Sequence, residues 1–199
     1  LEDYGKPGNY VARQVARWSK QYQASQTDNI EAMNNLIEWL PKNIPDDDET
    51  TIVHGDYRLD NMILKDNKVM GVLDWELSTL GHPIADFTYH MMTWRMPLGV
   101  QGIGILGANL DELNIPNENE YANAYYQKTN RNEIHNWDFF LAYNMFRLAG
   151  ITQGIAGRVR DGTASNDQAK QYGAFVPILS QMAWKIVKGI YKDKGYTAK

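Results

Sequence analysis

The 199-residue sequence contains no cysteine. This absence excludes disulfide bonds and thiolate metal sites, and it agrees with a reducing compartment. The sequence also lacks the run of about 18 consecutive apolar residues from which a membrane-spanning helix is recognised. Residues 1–8 show no basic-then-apolar signal pattern. We therefore expect a cytoplasmic protein that has no membrane partner.

A concentration of positive charge is missing as well. The chain has 20 basic and 24 acidic residues, and the basic residues are scattered along it. Proteins that bind nucleic acids usually gather Lys and Arg on one face, so no nucleic-acid partner is expected. The 43% hydrophobic and 22% charged residues are typical of a globular chain. We expect residues 1–199 to form one domain.

Hydrophobic spacing predicts that residues 1–45 are helical. A first helix over 9–25 has apolar residues that recur every three or four positions and so share one face. These residues are Val11, Val15, Trp18 and Tyr22. A second helix is expected after Asp28, which with Glu31 forms a variant of the capping box, and it ends at Pro41.

Residues 46–80 have a different character. They begin with the acidic run 46–49, which we interpret as a solvated linker because no predicted element gathers its carboxylates. Short runs rich in β-formers follow, separated by turn residues. These runs are 51–53, 62–64 and 69–73. We expect small strands that hold loops.

Residues 81–199 return to helical spacing. The predicted helices are 84–94, 118–129, 136–157 and 169–191. A glycine-rich segment, 97–108, interrupts them. Together, the three parts predict a mainly helical α+β fold in which a small strand-and-loop insert lies near the front of a helical body.

The insert carries a spacing that is typical of kinase catalytic loops. Asp56 and Asn61 are five positions apart, and Asp74 follows thirteen positions after Asn61. In protein kinases, a catalytic Asp precedes a metal-binding Asn by five residues, and a second metal-binding Asp follows on the next hairpin. The spacing therefore indicates phosphoryl transfer.

The chemistry explains why these residue types occur together. Phosphoryl transfer needs a carboxylate that orients the acceptor hydroxyl, and it needs oxygen ligands for the Mg²⁺ that bridges the phosphates. Asp56 is the candidate catalytic residue, and Asn61 and Asp74 are the candidate magnesium ligands. Glu76 is either a further metal ligand or the partner of a basic neighbour.

The strings VHGDYRLDNMIL and LDWELSTLGHPIADF resemble the aminoglycoside phosphotransferase and choline kinase family. They are especially similar to the branch that is fused to acyl-CoA dehydrogenases, and the resemblance covers nearly the whole chain. It implies the C-terminal lobe of a protein-kinase-like fold, in which small β-hairpins carry the catalytic and metal loops. It also implies an ATP- and magnesium-dependent phosphotransferase that acts on a hydroxyl of a small molecule.

The resemblance assigns further roles position by position. Arg58 corresponds to a residue that contacts the transferring phosphoryl group, although a surface salt bridge is an equally open interpretation. Ile63 corresponds to an apolar residue that supports adenine. His54 corresponds to a histidine that braces the metal loop, and Asp86 to a carboxylate that caps backbone groups and ties a helix to the loop.

A complete kinase-like enzyme also has an upstream β-rich lobe with a phosphate-covering loop and a strand Lys. The residues before His54 are predicted to be helical instead, and the chain begins with Leu rather than Met. We therefore expect the N-terminal nucleotide-binding lobe to be absent from this chain, which would then be inactive alone. The bared lobe interface would favour self-association.

The pattern G-x-G-x-x-G occurs at Gly102, Gly104 and Gly107, but its context is wrong. A phosphate-covering loop precedes the catalytic Asp, and a dinucleotide site needs a preceding strand. We expect an inter-helix loop, which the family resemblance would put near the acceptor side. The histidines His82 and His90 are interpreted as ordinary structural residues.

Two other functions stay open. The chain is alternatively a kinase-like binding module without catalysis, or a metal-dependent phosphohydrolase that uses water as the acceptor. The acceptor of a kinase is also open, because the aromatic residues of the helical part either line a weakly polar acceptor site or belong to the core. These residues are Trp94, Tyr125, Tyr126, Phe139 and Tyr143.

Overall fold

The structure, a computed structural model, describes residues 3–131, 135–163 and 169–189. Its helices are α1 (Tyr10–Ser25), α2 (Glu31–Trp39), α3 (Pro83–Met91), α4 (Glu118–Lys128), α5 (Trp137–Arg160), α6 (Ala169–Tyr172) and α7 (Phe175–Val187). Its strands are β1 (Thr51–Val53), β2 (Met62–Lys65), β3 (Lys68–Val72) and β4 (Thr79–Gly81). Within this described part, no helix combines the length and hydrophobicity that crossing a membrane would demand.

Helix α5 lies at the centre of the molecule and packs against α1, α3 and α7. It is apolar on nearly every face, so it is buried almost completely over its first fourteen residues. Phe140, Tyr143 and Phe146 are among the largest side chains of the core. The predicted helix 136–157 is confirmed and continues for three more residues.

The first two helices confirm the predicted helical start of the chain, but the N-terminus of α2 differs from the prediction. The apolar face of α1 is buried as its spacing predicts. Asp28 does not cap α2, because the chain continues to Ile30, which takes the cap position in an extended conformation. The Asp28 carboxylate instead accepts a hydrogen bond from the Thr27 hydroxyl.

The last predicted helix, 169–191, is two helices. A turn at Gly173 and Ala174 separates α6 from α7, and α7 then packs against α2 and α5. The expected end of this helix at Tyr191 lies outside the described residues. The apolar spacing did not distinguish one helix from two, because a short turn leaves the pattern of apolar residues nearly unchanged.

The strands form two separate antiparallel pairs. β2 and β3 form a hairpin whose turn residues, Asp66 and Asn67, both have positive φ, as a tight two-residue turn requires. β1 pairs with β4, and β4 was not predicted, since its sequence, Thr-Leu-Gly, is less rich in β-forming residues than the Thr-Ile-Val of β1. The hairpin and the β1–β4 pair flank residues 54–61, which carry the motif.

The acidic run 46–49 is a loop whose three aspartates are exposed, as the interpretation as a solvated linker predicts, but two of its side chains contact distant parts of the chain. The Asp48 carboxylate accepts a hydrogen bond from the Asn9 backbone at 2.9 Å, and Glu49 forms an ion pair with Arg131. The partners are 39 and 82 residues away, so no local pattern could indicate them. These contacts attach the start of the insert to the helical body.

Candidate active site

The motif begins in a tight turn at the end of β1. The turn depends on Gly55, which has φ +85° and approaches the Leu77 carbonyl. Asp86, at the start of α3, accepts hydrogen bonds from the backbone N–H groups of His54 and Gly55, each at 2.8 Å and each on a different carboxylate oxygen. This bidentate cap attaches the turn to α3, in the position that the family resemblance implied for Asp86.

His54 connects the catalytic turn to the loop that carries Asp74. Its Nδ1 accepts a hydrogen bond from the Asp56 backbone N–H at 3.2 Å, and its Nε2 lies 2.8 Å from the Leu73 carbonyl. The first contact requires an acceptor and the second a donor, so these partners assign the proton to Nε2 of a neutral ring. The imidazole therefore braces two loops.

Asn61 is bound directly to Asp56. Its Nδ2 donates to the Asp56 backbone carbonyl at 2.8 Å and to the Asp56 carboxylate at 3.1 Å. Since both hydrogen bonds use the amide nitrogen, the Oδ1 atom of Asn61 is left to ligate a cation. The arrangement fixes the separation of the candidate catalytic carboxylate from one candidate ligand.

The hairpin brings the Asp74 segment beside Asn61. The Leu73 backbone N–H donates to the Asn61 carbonyl at 2.8 Å, and the next pair in register is Met62 with Val72. Asp74 follows directly, with a left-handed backbone at φ 64°. Thirteen residues of sequence separation are thus closed by one short hairpin.

The donor set around Asn61 fits a hard divalent cation. Among the described residues, no three His, Cys, Asp or Glu side chains are grouped closely enough to hold a metal ion. Magnesium in phosphotransferases is usually held by one or two carboxylates, while phosphates and water complete its shell. An amide oxygen from Asn61 and a carboxylate from Asp74 are the types of ligand that this shell requires, and their roles, like that of the exposed Glu76, stay predictions.

Arg58 and Ile63 precede and follow Asn61 in the sequence. Arg58 forms an ion pair with Asp60, with Nε 2.8 Å from the carboxylate, so the salt-bridge interpretation is met. Its side chain also lines the cavity described next, where a phosphoryl contact stays a prediction. Ile63 lies in β2 with 49% of its surface exposed.

A cavity of about 410 Å³ lies beside Arg58 and Tyr89. Most of its wall is apolar or aromatic. The wall includes Tyr57, His90, Trp94, Gly102, Ile103, Ile105, Ile115, Pro116 and Tyr121. The glycine-rich segment is therefore a loop between helices, as predicted, and it lies against this cavity.

The aromatic residues singled out from the sequence divide between site and core. Trp94 lines the cavity, whereas Phe139 and Tyr143 are buried in the core. Tyr125 stacks on Phe87 with ring centroids 3.8 Å apart. Tyr126 packs against the core from outside. Phe139 and Tyr143 thus belong to the core, and a contact of Trp94 with an acceptor stays a prediction.

Three residues near the motif were not anticipated as part of a site. His90 is a wall residue of the cavity, surrounded by aromatic rings, and burial lowers its pKa. Tyr89 and Arg147 approach the motif from α3 and α5. Arg147 did carry a signal in the sequence, since it is the single charged residue between Asp138 and Arg158.

Substituting Gly55 with alanine is expected to destabilise the chain more than substituting Gly99. Both glycines have φ near +80°, so an alanine at either position carries a strain of about 1–2 kcal/mol. At Gly55 the new Cβ would also lie 2.7 Å from the Leu77 carbonyl oxygen, whereas at Gly99 nothing lies within 4 Å. Urea denaturation should show an excess loss of about 1–3 kcal/mol at Gly55. Equal losses would show that the turn can move away from Leu77.

Comparison with known proteins agrees with this geometry. The model of the "Phosphotransferase enzyme family" matches residues 1–126, so the chain belongs to that family of phosphotransferases. A Ralstonia eutropha JMP134 crystal structure, assigned as an aminoglycoside phosphotransferase, superposes with a TM-score of 0.91 at 50% identity. It covers 95% of this chain, which spans 58% of that protein. The chain thus has the kinase-like fold of the family.

The relatives confirm the branch that the sequence resembles. Acyl-CoA dehydrogenase family member 10 of Mus musculus is 42% identical over 187 residues, and family member 11 of Homo sapiens is 40% identical over 192 residues. These matches cover 92% and 94% of this chain but 18% and 24% of the relatives. The chain therefore spans about a fifth to a quarter of their length.

Proposed function

We propose that this chain is the catalytic lobe of an ATP- and magnesium-dependent phosphotransferase that acts on a hydroxyl of a small molecule. The observation that carries the proposal is the double hydrogen bond from the Asn61 amide to the backbone and the carboxylate of Asp56. It joins the proposed catalytic carboxylate to a proposed magnesium ligand. Family membership supports the reaction class.

Each residue of the centre has a defined task in this proposal. Asn61 and Asp74 hold Mg²⁺, which when bound spreads the charge of the nucleotide phosphates. Asp56 accepts a hydrogen bond from the acceptor hydroxyl and takes its proton as the oxygen approaches phosphorus. Arg58 offers a planar fork of donors to the transferring phosphoryl group, and Ile63 supports the base of the nucleotide.

An apolar surface around the motif supports the proposal that a second lobe packs there. We call it the lobe face, and its members are 45–63% exposed. They are Ile52, Leu59, Ile63, Leu64, Val69, Met70, Leu73, Trp75 and Leu77. Exposed apolar clusters of this kind usually mark contact surfaces. We propose that the lobe face receives a nucleotide-binding lobe from elsewhere in a longer polypeptide, and that the chain self-associates when that lobe is missing.

The cavity beside Arg58 is the proposed acceptor site. Among its described lining residues Asp60 is the single acidic one, and it is paired with Arg58. Polycationic aminoglycosides would require several unpaired carboxylates, so an acceptor with an apolar body is favoured. Since the relatives are named acyl-CoA dehydrogenases, hydroxylated acyl compounds are the first candidates by analogy.

A screen by mass spectrometry tests the function. The longest natural polypeptide that carries this chain is incubated with ATP, Mg²⁺ and a panel of hydroxylated metabolites. A product with one added phosphate, lost when EDTA removes the metal, is expected. The isolated 199-residue chain should form little or none of it.

Other outcomes would support the alternatives. Release of inorganic phosphate from ATP, without a phosphorylated product from any member of the panel, would indicate a phosphohydrolase that uses water as the acceptor. Calorimetry that detects no binding of Mg²⁺ and ATP by the longer polypeptide would indicate a binding module without catalysis.

A further inference from the structure

Arg147 is a buried cation that contacts the catalytic turn. It lies on α5 with 7% of its surface exposed, and its Nη2 donates a hydrogen bond of 2.6 Å to the Gly55 carbonyl. Gly55 directly precedes Asp56. The guanidinium therefore holds the peptide group from which the catalytic carboxylate extends.

The surroundings of Arg147 are unusual for a buried charge. Among the described residues no carboxylate forms a salt bridge with it; its guanidinium lies over the rings of Trp18 and Tyr89, at 5.7 and 4.7 Å. Burying a charge without a directly paired carboxylate is costly, and helix packing alone could use an apolar residue here. Such a group next to a candidate site indicates a functional role.

Tyr89 extends this contact to the carboxylate itself. It lies on α3 and is buried, and burial raises its pKa to about 12, with a smaller part from the charge of Asp56 and a hydrogen bond to it. The phenol therefore stays protonated at neutral pH and can donate to the Asp56 carboxylate. The Tyr89 ring is one of the two rings over which the Arg147 guanidinium lies.

We propose that Arg147 is a positioning residue for Asp56, acting on the backbone through Gly55 and on the carboxylate through Tyr89. This inference rests on the proposed function. The Asp56 carboxylate is then held by Asn61 on one side and by Tyr89 on the other, and Arg147 supports the second contact. A misplacement of about 1 Å in a reacting group can lower a rate about 10²-fold. The gain in rate from a rigid support therefore offsets the free-energy cost of burying Arg147.

The test compares Arg147→Met, Arg147→Lys and Tyr89→Phe with Arg17→Met. Arg17 is a matched control, because its guanidinium lies over the same Trp18 ring, at 5.3 Å, but on the exposed side of α1. The assay is ATP hydrolysis by the longest natural polypeptide, with Mg²⁺ and no added acceptor.

We expect Arg147→Met to lower kcat about 10²-fold and Tyr89→Phe to lower it by a smaller factor, with KM for ATP unchanged in both. Arg147→Lys keeps the charge but loses the planar fork, so its kcat should lie between those of Arg147→Met and the unchanged protein. Arg17→Met should retain full activity. Retained kcat in Arg147→Met, or an equal loss in Arg17→Met, would overturn the proposal.

Hydrogen exchange separates positioning from general stability. In Arg147→Met the amides of residues 54–61 should exchange faster, while those of α1 and α5 keep their rates. Faster exchange throughout these helices would mean that Arg147 only stabilises the core, and would overturn the proposal.

Asp56→Asn is measured in parallel. If it leaves hydrolysis intact, the proposed function is wrong. If it abolishes hydrolysis while Arg147→Met does not lower it, only the present inference is wrong.

Discussion

Replacing Asp56 with alanine is expected to lower the turnover of the longest natural polypeptide by about 10²- to 10⁴-fold, the range over which a positioned acid or base contributes. The variant loses the carboxylate that orients the acceptor hydroxyl, but it keeps Asn61 and Asp74. Binding of ATP and Mg²⁺ should therefore change little. Phosphorylated product measured by mass spectrometry and binding measured by calorimetry check the two halves of this expectation.

Asp46→Ala is the matched control for Asp56→Ala. Asp46 is an exposed aspartate of the same insert, so its loss removes the same charge from the chain without touching the motif. Turnover of the control should equal that of the unchanged protein. Near-normal turnover in Asp56→Ala would refute the catalytic assignment and, with it, the proposed mechanism.

Replacing Arg95 with methionine is expected to lower the free energy of unfolding by about 3–5 kcal/mol, the cost of removing one partner from a buried ion pair. The Arg95 side chain is 8% exposed. Its Nε donates to both oxygens of Glu118 at 2.9 and 3.0 Å, and its Nη1 donates to Asp138 at 3.1 Å. The substitution would leave two largely buried carboxylates without this cation.

Lys42→Met provides the comparison for Arg95→Met. Lys42 pairs with Glu38 on an exposed helix surface, where ion pairs contribute little, so its unfolding midpoint should not move. Chemical denaturation of the isolated chain measures both variants. An equally small change in Arg95→Met would show that the two carboxylates find water or other donors when the guanidinium is gone.

Arg95 also connects the stability of the fold to the shape of the cavity. It follows Trp94, a wall residue of the cavity, and its partner Glu118 begins α4 and accepts a hydrogen bond from Trp137 at 3.0 Å. The ion pairs therefore hold the segment that follows α3 against α4 and α5. The proposed acceptor site is built on this junction and should lose its shape when the junction is broken.

Much of the fold could be predicted because its signals are local. The helical face of α1 and the β-rich runs before and after the hairpin turn are visible as spacing within a few residues. The strand β4 was missed because its leucine and glycine are not strong β-formers. The division between α6 and α7 was missed because a turn inside an apolar run leaves the run intact. The partners of the acidic run were missed because they are distant in sequence.

The motif could be predicted from the sequence for the same reason. Asp56, Asn61 and Asp74 lie close together in sequence, before and after the β2–β3 hairpin, so their types and spacing predicted magnesium, phosphate and an alcohol acceptor. The matches to phosphotransferases confirm the family to which that pattern pointed. The ligand of the cavity could not be predicted from the sequence, because the residues of the cavity wall come from α3, the glycine-rich loop and α4.

The residues that support Asp56 could be identified only from the tertiary structure. Arg147 contacts Gly55 across 92 positions of sequence, and this contact exists only because α5 passes behind the catalytic turn. Residue types and short spacings were enough to identify the family and to predict the reacting groups, since these groups lie close together in sequence. Which distant side chains hold those groups in place was decided by helix packing, because burial and direction are properties of the assembled core.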